Sequence, residues 1–197
     1  MTKDEILQGE SKNIEFKEML PKNSEQYIKT IVAFANTQGG KLVFGVADKT
    51  RGGVGIDGTI LFQTMDAIAN AVSDSCEPSI VPDIEPCTIE GKTVIVVTVL
   101  PESHRPYYLK SKGKANGTYI RVGATTRLAY PDKITELEME GAKISWDELT
   151  CIGYGVTDDA VKMLCNDIAE FRKKSGLPKR DISLSQLVNW KLIKEQD

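Results

Sequence analysis

Three carboxylates near the start of the chain could do chemistry together. Glu10 and Glu15 stand five positions apart, and Asp48 follows the apolar run at residues 42–47. No histidine or cysteine lies close to them in the sequence, and oxygen donors alone favour hard cations such as Mg²⁺ or Mn²⁺ over zinc or copper. A cation held there could activate water and stabilise a phosphoryl transition state. The alternative is structural: Glu10 caps a turn, Glu15 pairs with Lys17 or a base on a neighbouring strand, and Asp48 caps a glycine loop.

A second group of residues could bind phosphate. Between residues 104 and 133, seven Lys and Arg side chains stand against one acid, which gives this segment a formal charge of +6. Guanidinium groups suit phosphate oxygens, and tyrosines such as Tyr107 and Tyr108 can stack with bases. We therefore predict a phosphate or nucleic-acid site at Lys17, Arg105, Tyr107, Lys110, Lys112, Lys114, Arg121 and Arg127. The alternative is that these are basic edge residues that discourage strand aggregation.

The glycine turn at residues 36–40 does not match a phosphate-binding P-loop. The GxxxxGK[ST] motif is absent, and Lys41 leads into a strand instead of a helix, so no helix N-terminus is available for an anion. We expect Asn36, Gly39 and Gly40 to form a tight turn that aims the next strand, which contains Gly45. Four glycines between residues 52 and 58 could still approach a nucleotide closely.

Hydrophobic periodicity predicts an α/β (α+β) fold. Alternation predicts a strand at residues 11–17, and the apolar run at residues 42–47 is typical of a strand covered on both faces. Helices are predicted at residues 24–35 and 61–75, and two hairpins at 80–100 and 107–122. The result is a mixed sheet of about five or six strands with two packed helices.

The C-terminal part of the sequence predicts a helical extension. Pro131 suits the first position of a helix that runs to about residue 140, and Thr157 caps a further helix. A small amphipathic helix follows at residues 183–193. We expect one domain over residues 1–145, with residues 146–197 as the beginning of a further C-terminal region.

Composition limits the class of protein. The chain has 197 residues, a net charge of −3, 41% hydrophobic residues and 27% charged residues, which is typical of a globular protein and argues against non-specific adhesion to nucleic acid. Its four cysteines contain no CxxC pair, so a structural zinc site is not expected. With no apolar run long enough to span a membrane and no signal-peptide core, we expect a soluble, cytoplasmic protein.

Five motifs occur in order between residues 9 and 140. They are Gly9-Glu-Ser-x-x-x-Glu-Phe-Lys17, Ala33-Phe-Ala-Asn-Thr-x-Gly-Gly40, Gly45-Val-x-Asp48, Arg105-Pro-Tyr107 and Tyr119-Ile-Arg-Val-Gly-x-x-Thr126. As a set they resemble the Schlafen AlbA-type domain of bacterial transcriptional regulators, formerly described as a divergent AAA ATPase domain. The resemblance implies an AlbA-like fold and an association with nucleic acid or nucleotide.

The resemblance also implies roles for the acids. In nuclease members of the Schlafen family, two glutamates five apart and a later aspartate form a metal-dependent RNA-cleaving site, and Glu10, Glu15 and Asp48 match that pattern. The animal enzymes contain two copies of the domain, whereas this chain has one, so a homodimer could supply the second.

Three functions follow from the sequence. The leading hypothesis is a nucleic-acid-binding N-terminal domain of a bacterial transcriptional regulator, with the basic segment contacting phosphates of DNA or RNA. The first alternative is a Mg²⁺- or Mn²⁺-dependent endoribonuclease that uses Glu10, Glu15 and Asp48. The second alternative is an ATP- or nucleotide-binding regulatory domain that uses the glycine loops.

Overall fold

The computed structural model describes residues 8–47, 53–145 and 155–193. The chain divides into two compact units, Met1–Lys143 and Ile144–Asp197. In the described residues, no helix is both long and apolar enough to cross a membrane.

A strand–helix–strand unit lies near the start of the described residues. Its elements are β1 (Ile14–Lys17), α1 (Glu25–Ala35) and β2 (Gly40–Phe44), and β1 and β2 pair in parallel. The helix starts after Ser24 as expected, but the Ser24 side chain makes no capping bond; instead Asn23 Oδ1 accepts from the Glu25 N–H at 3.0 Å. Eight of the eleven helical residues are buried, because α1 packs against the sheet.

The other described residues of the first unit add six strands and three helices. In chain order these are α2 (Leu61–Ser75), β3 (Cys76–Glu77), β4 (Asp83–Ile89), β5 (Lys92–Val99), β6 (Tyr108–Leu109), α3 (Gly113–Gly117), β7 (Tyr119–Val122), β8 (Thr125–Leu128) and α4 (Pro131–Ala142). The main sheet has the order β1-β2-β5-β4, while β3 with β6 and β7 with β8 form separate two-stranded sheets. Both smaller sheets and the β4–β5 hairpin are antiparallel.

The expected α+β class is confirmed, but the strands are distributed differently from the prediction. The main sheet contains four of the described strands instead of five or six. The hairpin predicted at 107–122 was wrong, because β6 pairs with β3 and β7 pairs with β8. The segment between them, expected to be a loop, contains a 3₁₀ turn at Lys110–Lys112 followed by α3.

The two faces of the main sheet explain its apolar sequence. Side chains alternate along β2, so Leu42 and Phe44 join α1 and α2 in one core cluster, while Val43 joins Phe16 and Val96 in a second cluster on the opposite face. Both faces are therefore buried at β2. This accounts for the continuous apolar run in the sequence of β2, since a strand with one exposed face would alternate apolar and polar residues.

The second unit contains two helices in its described residues, α5 (Asp158–Lys174) and α6 (Leu184–Asn189). Thr157 caps α5 as predicted, since its hydroxyl accepts from the Ala160 N–H at 3.2 Å. Ser183 and Gln186 form a capping box at the start of α6.

We predict that Cys76 resists alkylation in the folded protein. Its thiol is 0% exposed, and burial raises its pKa to about 12, so the reactive thiolate is suppressed near pH 8.5. Mass spectrometry after iodoacetamide treatment should find Cys76 unmodified in the native protein and modified in concentrated guanidinium chloride. The partly exposed Cys165 serves as the comparison. Equal labelling of Cys76 in the two conditions would contradict the buried position.

Candidate nucleic-acid interface

The Glu15 carboxylate lies on the helix-facing side of β1. Its neighbour Phe16 points to the opposite face, and Glu15 is in register with Leu42, which belongs to the core beneath the helices. The Glu15 side chain is only 14% exposed, and both its oxygens have cationic partners: Lys17 Nζ at 2.8 Å and Arg121 Nη1 at 2.6 Å. The structural alternative for Glu15, a pair with Lys17, is confirmed.

Arg121 lies inside the protein and does not reach the surface. Its side chain is 1% exposed, and its guanidinium carbon lies 5.1 Å from the centre of the Phe34 ring. Its other donor contacts all go to oxygen atoms of the protein: Thr126 Oγ1 at 3.0 Å, the Ser11 carbonyl at 2.7 Å and the Lys12 carbonyl at 3.3 Å. The prediction that Arg121 contacts phosphate directly is therefore corrected. Its hydrogen bonds to these oxygen atoms and to Glu15 instead fix the β7–β8 hairpin to β1.

The partners of Glu15 disfavour a divalent cation at its carboxylate. A cation at Glu15 would stand beside the Lys17 ammonium and the Arg121 guanidinium, which repel it. Glu10 Oε1 accepts from the Phe16 N–H at 3.1 Å, a backbone contact that resembles the structural alternative for Glu10. Asp48 lies outside the described residues. Within the described ranges, no group of three His, Cys, Asp or Glu side chains could hold a metal ion.

Asn36 joins three segments at the end of α1. Its Nδ2 donates to the carbonyls of Tyr107 at 2.8 Å and Tyr119 at 2.9 Å, and its Oδ1 accepts from the Tyr107 N–H at 2.8 Å. Asn36 is 2% exposed, so these bonds satisfy backbone groups that water does not reach. Asn36, which we predicted to lie in a tight turn, therefore links the end of α1 to the segments at residues 107 and 119.

Arg105 is also held by the turn after α1. Its Nη2 donates to the Thr37 carbonyl at 2.5 Å, its Nε to the Ala35 carbonyl at 3.3 Å, and its Nη1 contacts Glu140 Oε2 at 2.7 Å. The side chain is 18% exposed. Its charge therefore remains near the surface, although its donors are engaged within the protein.

The turn itself depends on glycine at two positions. Gly39 has a φ of +73°, a conformation that favours glycine. A Cβ on Gly40 would lie 2.5 Å from the Phe34 ring and 2.7 Å from the Asn13 carbonyl. Gly40 therefore permits the close approach of α1 and the segment before β1. Gly45, with a φ of +101°, directly follows β2.

Tyr107 and the lysines of the basic segment differ in their surroundings. Tyr107 is 2% exposed and lies in the core, where burial raises the pKa of its phenol, so its predicted stacking with a base needs correction. Lys112 contacts Glu25 and Lys114 contacts Glu138 at 2.7 Å, and these hydrogen bonds raise the pKa of both lysines. Lys110 Nζ lies 3.4 Å from a backbone carbonyl of α2.

A polar cavity of about 400 Å³ opens between these elements. It is bounded by the turn before β1, the end of α1, the strand β7 and the helix α4. Four cations and one acid are among its lining residues, which are Lys12, Asn13, Asn36, Thr37, Gln38, Arg105, Ile120, Arg121, Lys133 and Glu140.

Several of these residues were missed by the sequence analysis. Lys12 and Asn13 occupy variable positions between the two glutamates of the first motif, and Gln38 occupies the variable position of the second. Neither their residue types nor their spacing indicated that they would line a site. Their positions inside the motifs could have indicated them, because a residue between two motif residues must lie near the site that those motif residues form.

Comparison with known proteins assigns the chain to a family. Residues 10–130 match the family model described as Schlafen, AlbA_2. The chain belongs to this family. The matched residues include β1 to β8 and therefore most of the elements that border the cavity.

Two solved structures resemble the Schlafen AlbA_2 chain. The DIP2311 protein from Corynebacterium diphtheriae is 19% identical with a TM-score of 0.48, and the match covers 70% of this chain and 28% of that protein. The N-terminal domain of a protein from Nitrosomonas europaea, described as related to the ATP-dependent DNA helicase RecG, is 24% identical with a TM-score of 0.47. That match covers 66% of this chain and 94% of the domain. The chain thus spans less than a third of the Corynebacterium protein.

We predict that Glu15→Gln destabilises the domain. The substitution leaves the buried Arg121 guanidinium without a negative partner, which should lower the free energy of unfolding by about 3 kcal/mol. Urea denaturation measures the effect. Lys17→Gln removes the more exposed partner of Glu15 and should cost at most about 1 kcal/mol. Equal stabilities of Glu15→Gln and the wild type would refute a structural role for the Glu15–Arg121 pair.

We also predict that Gly40→Ala destabilises the fold. The added methyl group would collide with the Phe34 ring and the Asn13 carbonyl, at a cost of about 1–3 kcal/mol. Gly58→Ala is the matched control, because no atom lies within 4 Å of the added group. Thermal melts of both variants test the prediction, and a larger loss for Gly58→Ala would reverse it.

Proposed function

We propose that the Schlafen AlbA_2 domain binds nucleic acid through cations at the mouth of the polar cavity. The observation that supports this proposal is the lining of the cavity, in which Lys12, Arg105, Arg121 and Lys133 face a single acid, Glu140. Membership of the family adds support, because the resemblance implies an association with nucleic acid.

Three exposed or half-exposed cations form what we call the basic rim: Lys12, Arg127 and Lys133. Lys12 is exposed and lines the cavity, and its ammonium contacts no acid among the described residues. Arg127 is exposed and is the cross-strand partner of Ile120, which also lines the cavity. Side chains directly opposite on an antiparallel pair project from the same face, so Arg127 lies on the same face of the β7–β8 pair as Ile120.

Lys133 completes the basic rim at the start of α4. It contacts Glu136 at 2.8 Å in a pair whose side chains are 32% and 46% exposed. A solvent-exposed pair of this kind contributes about 0–1 kcal/mol, so a phosphate group can compete for the ammonium.

The cations behind the basic rim have a different role. Arg105 and Arg121 make ion pairs with Glu140 and Glu15 and donate to backbone carbonyls, so they contribute positive potential and rigidity rather than free donors. Lys112 and Lys114 each stand beside an acid and add little net charge. The basic rim is therefore the surface on which phosphate contacts are concentrated.

We extend the proposal to the role that the resemblance implies, the N-terminal module of a bacterial transcriptional regulator. In that role the basic rim supplies contacts with the phosphate backbone, which position a protein without reading sequence. A homodimer, which could supply the second copy of the domain, would present two such rims and would strengthen binding to one long nucleic acid by avidity.

The test is the salt dependence of binding. We expect a triple variant with Lys12→Ala, Arg127→Ala and Lys133→Ala to bind labelled DNA and RNA more weakly. The slope of log K against log salt should become smaller by about 1 for each phosphate that the variant no longer neutralises. Fluorescence anisotropy at several salt concentrations measures both quantities, for single strands and for duplexes.

The matched control is Lys92→Ala. Lys92 is exposed and begins β5, whose other end, at Val99, pairs with Gly40 beside the cavity. At about 3.3 Å per residue the strand separates the two ends by roughly 20 Å. Unchanged affinity and slope in the triple variant, or an equal loss in Lys92→Ala, would rule out the basic rim as the binding surface.

A further inference from the structure

We propose that two copies of this chain associate through α5, with the apolar face of the helix packed antiparallel against the same face of the second copy. The helix lies at Asp158–Lys174, outside the residues 10–130 that match the family model. The resemblance raised a homodimer only as a source of a second domain and assigned no surface to it. The proposal therefore goes beyond the nucleic-acid function and does not depend on it.

The apolar face of α5 is open to solvent. None of the seventeen residues of this fully described helix is buried. Leu164 and Phe171 are 38% and 67% exposed, and Val161 and Ile168 are half-buried. Most of the stability of a helix in a protein comes from covering its apolar face, so we expect α5 to have a partner.

The spacing of the apolar residues is typical of a pair of packed helices. Val161, Leu164, Ile168 and Phe171 follow one another at intervals of three, four and three residues. This is the a/d pattern of a heptad, which forms a narrow apolar line along one side of a helix. Such lines pack with the side chains of one helix between those of the other, at a crossing angle of about 20°. The face of α5 therefore fits another helix with the same spacing.

The charges at the two ends of α5 indicate that this other helix is a second copy in the opposite direction. The first turn contains Asp158 and Asp159, and the last turn contains Arg172, Lys173 and Lys174. In an antiparallel pair, each acidic turn lies beside the basic turn of the partner helix. In a parallel pair, like charges would face each other at both ends, which is unfavourable.

One antiparallel register satisfies the apolar contacts. With the two-fold axis at Asn166, Val161 lies opposite the partner's Phe171, and Leu164 lies opposite the partner's Ile168. Each a position thus meets a d position of the other helix. Because of the two-fold symmetry, every contact occurs twice.

The same register also satisfies the charges. It places Asp158 opposite the partner's Lys174 and Asp159 opposite the partner's Lys173. Within one helix, Asp159 contacts Lys162 at 3.5 Å and Lys174 contacts Glu170 at 3.6 Å, and the side chains of both pairs are more than 70% exposed. Exposed pairs of this kind contribute about 0–1 kcal/mol, so they leave these charges available to a partner helix.

The expected dimer is weak because the interface is small. At about 1.5 Å per residue, α5 is roughly 25 Å long, and one face of that length buries less than the roughly 1,600 Å² of a standard interface. We therefore expect a dissociation constant on the order of 10 to 100 μM. Analytical ultracentrifugation of the full chain over a hundredfold range of concentrations measures it.

The apolar contacts are tested by Phe171→Ala, with Met163→Ala as the matched control. Both residues are 67% exposed, so neither change removes buried packing from the monomer, but Met163 lies outside the a/d positions. Phe171→Ala should weaken the dimer at least tenfold, because each dimer loses two large side chains from the interface. Met163→Ala should weaken it less than about twofold. Equal effects of the two changes, or a wild type that stays monomeric throughout, would overturn the proposal.

The charged contacts are tested by two variants whose charges are reversed at one end. A basic variant has Asp158→Lys and Asp159→Lys, and an acidic variant has Lys173→Glu and Lys174→Glu. Each alone should associate at least fivefold more weakly than the wild type, because the facing ends now repel. An equimolar mixture should associate at least fivefold more tightly than either variant alone. Both variants oppose the dipole of their own helix, so tighter association in the mixture cannot come from greater helix stability.

The salt dependence tests the direction of the helices. Added salt should weaken the wild-type dimer, because it screens the attraction between opposite charges. A dimer that salt strengthens would indicate parallel helices and would overturn the proposal, as would a mixture no tighter than its components. Failure of these tests leaves nucleic-acid binding by the basic rim standing, because none of the substitutions changes a residue of the rim.

Discussion

The structure of the first unit depends on the ion pair between Glu15 and Arg121. Removing both charges from water is costly, so each must find its partner and its remaining hydrogen bonds within the protein. Arg121 meets that demand with the carbonyls of Ser11 and Lys12 and with the Thr126 hydroxyl. One guanidinium thereby fixes the β7–β8 hairpin against β1 and against the turn before it. That turn then forms one wall of the polar cavity.

Another part of the cavity lining follows from the need to hydrogen-bond buried backbone groups. The turn after α1 brings backbone groups of residues 107 and 119 to a place without water, and the Asn36 amide satisfies them. Arg105 holds the next carbonyls, including that of Thr37. Once these internal demands are met, few polar groups remain free around the cavity. Lys12 is among them, because its ammonium contacts no acid in the part of the chain that the structure describes, and for that reason it carries the functional proposal.

The sequence predicted the elements better than their partners. The helix at residues 61–75 and the β4–β5 hairpin were predicted closely. Local periodicity determines both, and the hairpin closes at Glu90 and Gly91, which have φ of 51° and 76°. The pairing of β6 with β3 was not predictable by this route, since it joins strands of two residues each that are separated by more than thirty residues. Periodicity carries no information about such distant pairs. Only the assembled layers bring those strands together.

The same limit explains what was missed at the site. Counting charges along residues 104–133 gave a strongly basic segment, yet most of these cations stand beside an acid from elsewhere in the chain: Glu15 for Arg121, Glu140 for Arg105, Glu25 for Lys112 and Glu138 for Lys114. Formal charge is a property of the sequence, whereas the potential that a phosphate meets depends on the charge left after pairing in space. Among the residues that the structure describes, Lys12 and Arg127 contact no acid, and Lys12 lies outside the basic segment. A residue near an acidic motif can therefore matter more for anion binding than the centre of a basic run.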